Sequence, residues 1–139
     1  MDKDSLAHTK WNCIYHIVII PKYRRRAMYG KLKKTVQEII KKLCSYKNVE
    51  IVEGCVSKDD IHLCVKIPPK ISVSEFMGYL KGKSALMIFD EHPEYKKPRE
   101  NRNFWATGYY VDTVGRNEKT IKDYIKNQTK EDYESDKMK

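Results

Sequence analysis

From Asp60 to Ile67 the chain alternates residue by residue. Ile61, Leu63, Val65 and Ile67 fall on one side of the pattern, and Asp60, His62, Cys64 and Lys66 on the other. Successive side chains of an extended strand point to opposite faces, so this pattern predicts a strand with one apolar and one polar face. Pro68-Pro69 ends it. The apolar face needs a covering layer, and the flanking segments supply one. Upstream, Leu32, Val36, Ile39, Ile40 and Leu43 recur at helical spacing. Downstream, Ser72-x-x-Glu75 is a capping box that opens a helix lined by Val73, Phe76, Met77, Leu80, Met87 and Ile88.

Three further strands complete the pattern. Tyr15–Ile20 is short, β-branched and stopped by Pro21, as expected of a strand buried on both faces. Val49–Ser57 reads as a second strand, and Phe104–Val114 as an aromatic, β-rich last one. Asp90 to Asn103 is polar, contains two prolines and reads as a loop. Asn117 is placed to cap a final helix with Ile121, Tyr124, Ile125 and Gln128 on one stripe. The order predicts an α+β fold: a ferredoxin-like or RRM-like split βαβ antiparallel sheet with an extra C-terminal helix. One domain is expected over residues 1–130, followed by a charged tail at 131–139 that frays unless a partner holds it.

The charge is lopsided. The chain carries 28 basic and 19 acidic side chains, a net +9, and residues 1–50 alone hold 12 basic against 4 acidic. Lys22, Arg24, Arg25 and Arg26 form the densest part of that excess. Concentrated basic charge suits a phosphate backbone, although a solvated loop and helix face has the same composition. Apolar runs such as Ile17 to Ile20 and Ala85 to Phe89 are far short of the roughly 20 residues of a membrane span, and the first residues lead into no apolar leader segment. No membrane association or secretion is expected. Cys13, Cys44, Cys55 and Cys64 include no C-x-x-C pair. They read as small buried hydrophobes rather than zinc ligands or disulfides.

Two places could carry chemistry. Asp60 and His62 stand at i and i+2, so a carboxylate and an imidazole project side by side and could share a divalent cation. The same pair would also suit a polar strand face meeting water. Tyr124 and Gln128 stand at i and i+4 on the last helix and share a face. Tyr124 is either a half-buried aromatic beside Ile121 and Ile125 or a phenolic nucleophile. Phenols ionise near pH 10, so attack would need a base or a metal that polarises the target.

The segment Ser57-Lys58-Asp59-Asp60-Ile61-His62-Leu63 resembles the strand motif of the single-tyrosine HUH transposases, the small enzymes of the insertion-sequence 200/605 group with REP-associated tyrosine transposases as relatives. HUH stands for His, hydrophobic, His. The likeness extends to Tyr15-His16-Ile17-Val18 with Lys22-Tyr23-Arg24-Arg25, to Met77-Gly78-Tyr79-Leu80-Lys81-Gly82-Lys83-Ser84, to Phe104–Val111 with Thr113-Val114-Gly115, and to Tyr124 with Gln128. It covers roughly residues 10–130.

The resemblance implies a transposase that cuts and rejoins single-stranded DNA through a 5′-phosphotyrosine at Tyr124. It implies Mg²⁺ or Mn²⁺ held by His62, Gln128 and the residue at position 60. It also implies recognition of hairpins at element ends, a homodimer with composite sites, and a cytoplasmic, nucleoid-associated location in a prokaryote. Lys22, Arg24, Arg25, Arg26, Lys81 and Lys83 are the expected DNA contacts. Asp60 stands where the family has its first motif histidine. Carboxylate oxygen is a normal ligand for Mg²⁺ and Mn²⁺, so the site is expected to survive with one more negative charge. The alternative is an impaired relative that binds hairpin DNA or RNA as a regulator. An RRM-like RNA binder on the same fold would want aromatics where Asp60, His62, Cys64 and Lys66 stand.

Overall fold

The computed structural model describes residues 11–22, 28–96, 103–114 and 118–128. β1 (Ile14–Ile19) leads into α1 (Gly30–Tyr46), β2 (Glu50–Val56), β3 (Ile61–Lys66), α2 (Val73–Glu91), a 3₁₀ turn (Pro93–Tyr95), β4 (Tyr110–Thr113) and α3 (Glu118–Gln128). The sheet order is β2-β3-β1-β4, and each neighbouring pair is antiparallel. β1 and β2 are thus parallel with β3 inserted between them, which is the split βαβ arrangement expected from the sequence.

The alternation of β3 sorts its residues as predicted. Ile61, Leu63 and Val65 join Ile17 and Ile19 of β1 in a core beneath α1 and α2. On α1 that core takes the predicted stripe of Leu32, Val36, Ile39, Ile40 and Leu43, and on α2 it takes Phe76, Met77, Leu80 and Ile88. Ser72 caps α2 by accepting the Glu75 N–H at 3.0 Å. The opposite face carries a smaller cluster of Ile14, Val52, Cys55, Cys64 and Val114, closed by Ile125 of α3. None of the four cysteines is in a disulfide; Cys44, Cys55 and Cys64 are buried, whereas Cys13 is half-buried and corrects the expectation that all are.

The last strand is shorter than its composition suggests. Phe104 to Ala106 run alongside the end of β1, with Lys22 N–H donating to Phe104 O and Ala106 N–H to Ile20 O, both at 2.8 Å. Gly108 then turns the backbone into the left-handed region (φ +83°), and regular pairing resumes only at Tyr110. A β-rich composition does not reveal a break that one glycine torsion creates. The segment expected as loop from Asp90 is also more regular, because α2 continues to Glu91 and a 3₁₀ turn follows. Arg24, Arg25, Arg26, Asn117 and the tail lie outside the described residues.

Candidate active site

The polar face of β3 forms the floor of the site. Ser57 and Asp60 close the β2–β3 turn: Ser57 N–H donates to Asp60 O at 2.9 Å, and Ser57 Oγ donates to Asp60 Oδ1 at 2.6 Å. That leaves Asp60 Oδ2 facing His62 Nε2 at 3.3 Å. Burial raises the Asp60 carboxyl, but the hydrogen bonds from His62 and Ser57 and the His62 charge outweigh it, so its pKa ends below its ordinary value. The predicted pair therefore exists, and its carboxylate is held from both sides.

A residue not singled out from the sequence stands on the other side of His62. β1 and β3 pair with His16 opposite Cys64 and Val18 opposite His62, which sets the two imidazoles diagonally on one face. His16 Nε2 and His62 Nδ1 are 3.2 Å apart and buried. Burial and the neighbouring His62 lower the His16 pKa, and Asp112 across β4 opposes them. The signal was available, since two central strands of a split βαβ must adjoin, but their register is a long-range property.

α3 lies over this floor. The Tyr124 ring meets His16 edge-on at 5.8 Å between centroids and His62 at 6.0 Å. Its side is open, with Tyr124 46% exposed, so the phenol can meet a substrate. Glu118 and Lys122 lie near Cys64, and Tyr124 lies near His62, so α3 advances towards the Asp60 end of β3. Gln128 is one turn further along that direction, roughly 6 Å beyond Tyr124. The structure thus brings Asp60, His62 and Tyr124 together with His16; Gln128 follows on the same helix.

Asp60 Oδ2 and His62 Nε2 suit a hard divalent cation. Cis ligands at about 2.1–2.2 Å from an octahedral ion stand roughly 3 Å apart, close to the observed separation. Among the described residues no group of three or more His, Cys, Asp or Glu side chains could enclose an ion. These two donors alone could hold Mg²⁺ or Mn²⁺ only with water and substrate oxygens in its other positions.

The expected DNA contacts divide. Lys22 is exposed where β1 ends. Met28, where the described chain resumes, donates its N–H to Lys58 O at 3.0 Å, two residues from Asp60. Met28 is therefore tied to the β2–β3 turn that carries Asp60. Lys83 is exposed on α2 beside Tyr79 and Leu86, at a shallow depression. Lys81 has a different setting: its Nζ donates to Ala106 O at 2.8 Å and Gly108 O at 2.7 Å, and burial lowers its pKa.

The family model for IS200-like transposases matches residues 9–128. The chain belongs to that family. It is 56% identical over 131 residues to the transposase for insertion sequence element IS200 of Salmonella typhimurium, covering 94% of this chain and 86% of the relative. It is 28% identical over 115 residues to the ISDra2 transposase TnpA of Deinococcus radiodurans, covering 82% of each. A crystal structure of a Deinococcus radiodurans R1 protein described as a transposase superposes with a TM-score of 0.72 at 28% identity, covering 92% of this chain and 98% of that one. A REP-associated tyrosine transposase bound to a REP hairpin shares the fold, with a TM-score of 0.64 at 12% identity over 93% of this chain and 73% of that one. No helix among the described residues is long and apolar enough to cross a membrane.

Proposed function

We propose that this IS200-like transposase cuts and rejoins single-stranded DNA with Tyr124 as nucleophile. The observation that carries the reading is the placement of the exposed Tyr124 ring over the His16–His62 pair, with the Asp60 carboxylate beyond. Tyr124 Oη forms a bond to phosphorus as the bond to the 3′-oxygen breaks. The phenol gives up a proton and the departing 3′-oxygen takes one, so the exchange is neutral. The products are a 5′-phosphotyrosine and a free 3′-hydroxyl, and the ester energy kept in the former permits rejoining. Mg²⁺ or Mn²⁺ held by Asp60, His62 and Gln128 would act as a Lewis acid on the phosphate. Asp60 keeps its Oδ2 aimed into that space because Ser57 fixes Oδ1.

In this reading Lys22, Arg24, Arg25, Arg26 and Lys83 contact the DNA, and hairpins at element ends are the proposed ligands. The support is the basic first third of the chain and a fold that holds a REP hairpin in another protein. A homodimer is part of the reading. β4 is an edge strand with all four residues exposed, a surface suited to a second copy. Incubation with a labelled single-stranded oligonucleotide carrying an element end should give a covalent adduct that survives denaturation. Tyr124→Phe should lose the adduct and keep DNA affinity; an adduct in that variant would move the nucleophile to another tyrosine.

One observation favours a second reading. Both oxygens of Asp60 already have protein partners, as a residue serving only to hold a turn would. A chain that binds hairpin DNA and never forms the adduct would be a regulator.

A further inference from the structure

His16 has no step of its own in the proposed strand exchange, yet it touches three side chains around the site, His62, Tyr110 and Tyr124. Its Nε2 meets His62 Nδ1 at 3.2 Å, and its ring is held edge-on between Tyr110 at 5.9 Å and Tyr124 at 5.8 Å. Both imidazoles are buried, so water does not substitute freely for the bond between them. His62 thereby has both ring nitrogens engaged: Nδ1 with His16 and Nε2 with Asp60. A neutral imidazole carries one N–H, so the two contacts cannot be independent.

We infer that His16 is a positioning residue that sets which nitrogen of His62 carries the proton, and so readies His62 Nε2 as a metal ligand. Without metal, the Asp60 carboxylate accepts from His62 Nε2–H, and His62 Nδ1 accepts from His16 Nε2–H. With metal on His62 Nε2, that nitrogen needs its lone pair. Its proton leaves to water, the His16 Nε2 proton crosses to His62 Nδ1, and His16 Nδ1 takes a proton from water. The two rings hold two protons before and after. His16 is suited to this because an imidazole can donate or accept at the same atom, whereas a fixed donor would oppose the metal-bound tautomer. A partner on the non-ligating nitrogen commonly changes metal affinity 10- to 100-fold. The inference rests on the proposed metal-assisted function for its loaded state and on the hydrogen-bond chain alone for its metal-free state.

Nitrogen NMR of the histidine-labelled protein tests it. In the metal-free protein His62 should be the Nε2–H tautomer and His16 likewise; Mg²⁺ should convert both to Nδ1–H. His16→Phe should remove the preference at His62 and weaken Mn²⁺ binding 10- to 100-fold, read by the paramagnetic signal of free Mn²⁺. His16→Gln, whose amide both donates and accepts, should restore the metal-free tautomer and most of the Mn²⁺ affinity. A His62 that carries its proton on Nδ1 in the unmodified, metal-free protein overturns the inference even if the Phe variant fails to fold. So does a Phe variant that binds Mn²⁺ like the unmodified protein. An unmodified protein that forms no covalent DNA adduct sinks the functional reading instead, and the metal-free tautomer still decides the role of His16.

Discussion

The two faces of β3 are built from alternate residues of one strand and differ in nearly everything else. Ile61, Leu63 and Val65 sit at 0% exposure beneath two long helices, in a continuous aliphatic and aromatic core. One residue over in each case, Asp60, His62 and Cys64 face an 11-residue helix whose one buried side chain is Ile125. The first face holds the fold together. The second holds ionisable groups at defined separations and is closed by an element with little buried surface. Local opening follows buried contact, so α3 is the element expected to move first.

The sharpest way to break this comparison is to truncate one residue on each face. Leu63→Ala leaves a cavity in the main core and should cost about 2–5 kcal/mol, read by chemical denaturation. Ile125→Ala should leave the global transition nearly in place while hydrogen exchange in α3 accelerates. Equal losses from the two variants would mean that the faces are not energetically distinct.

Asp60 probes the ligand side of the polar face. Asp60→Ala should lower Mn²⁺ affinity and oligonucleotide cleavage together, with high Mn²⁺ restoring part of the cleavage. Asp60→His removes a negative charge and should keep or raise activity, shifting preference from Mg²⁺ towards Mn²⁺ because imidazole is the softer ligand. An inactive starting protein with an active Asp60→His variant would identify the regulator reading as the right one.

Thiol labelling separates the faces more gently. Burial pushes the Cys44 thiol up to about 12, and burial, with Glu118 next, pushes Cys64 up to about 11. Cys44 lies in the main core and Cys64 beneath α3. In single-cysteine variants Cys64 should react faster than Cys44 under native conditions, since excursions of α3 expose it; equal rates would show that α3 stays docked. The smallest effect concerns DNA steering. Neutralising three of Lys22, Arg24, Arg25 and Arg26 should flatten the salt dependence of DNA binding by roughly 2 in log–log slope. An unchanged slope would place that segment away from DNA.

Much of this was legible in the sequence because it is periodic. The alternation of β3 assigned Leu63 and His62 to opposite faces, and helical spacing found the inner stripe of α1. His16 escaped notice because its partner is 46 residues away, and only strand register brings the two rings together. The break at Gly108 was hidden because aromatic and β-branched neighbours describe propensity and not torsion. Lys81 reads from the sequence as a DNA contact beside Lys83; its commitment to two loop carbonyls depends on where α2 and residues 106–108 meet.

The turn that Ser57 and Asp60 close also bears on how such a site changes over generations. Asp60 is held by a neighbouring hydroxyl and a neighbouring imidazole, and it is not a member of the aliphatic core that keeps the chain folded. A substitution at this position costs the fold turn contacts rather than core packing, and under the proposed function it falls directly on the site of DNA cleavage. If Asp60 holds the proposed metal, ligand identity can drift there one residue at a time, so a lineage could exchange its metal preference, or lose its chemistry, while the scaffold stays the same.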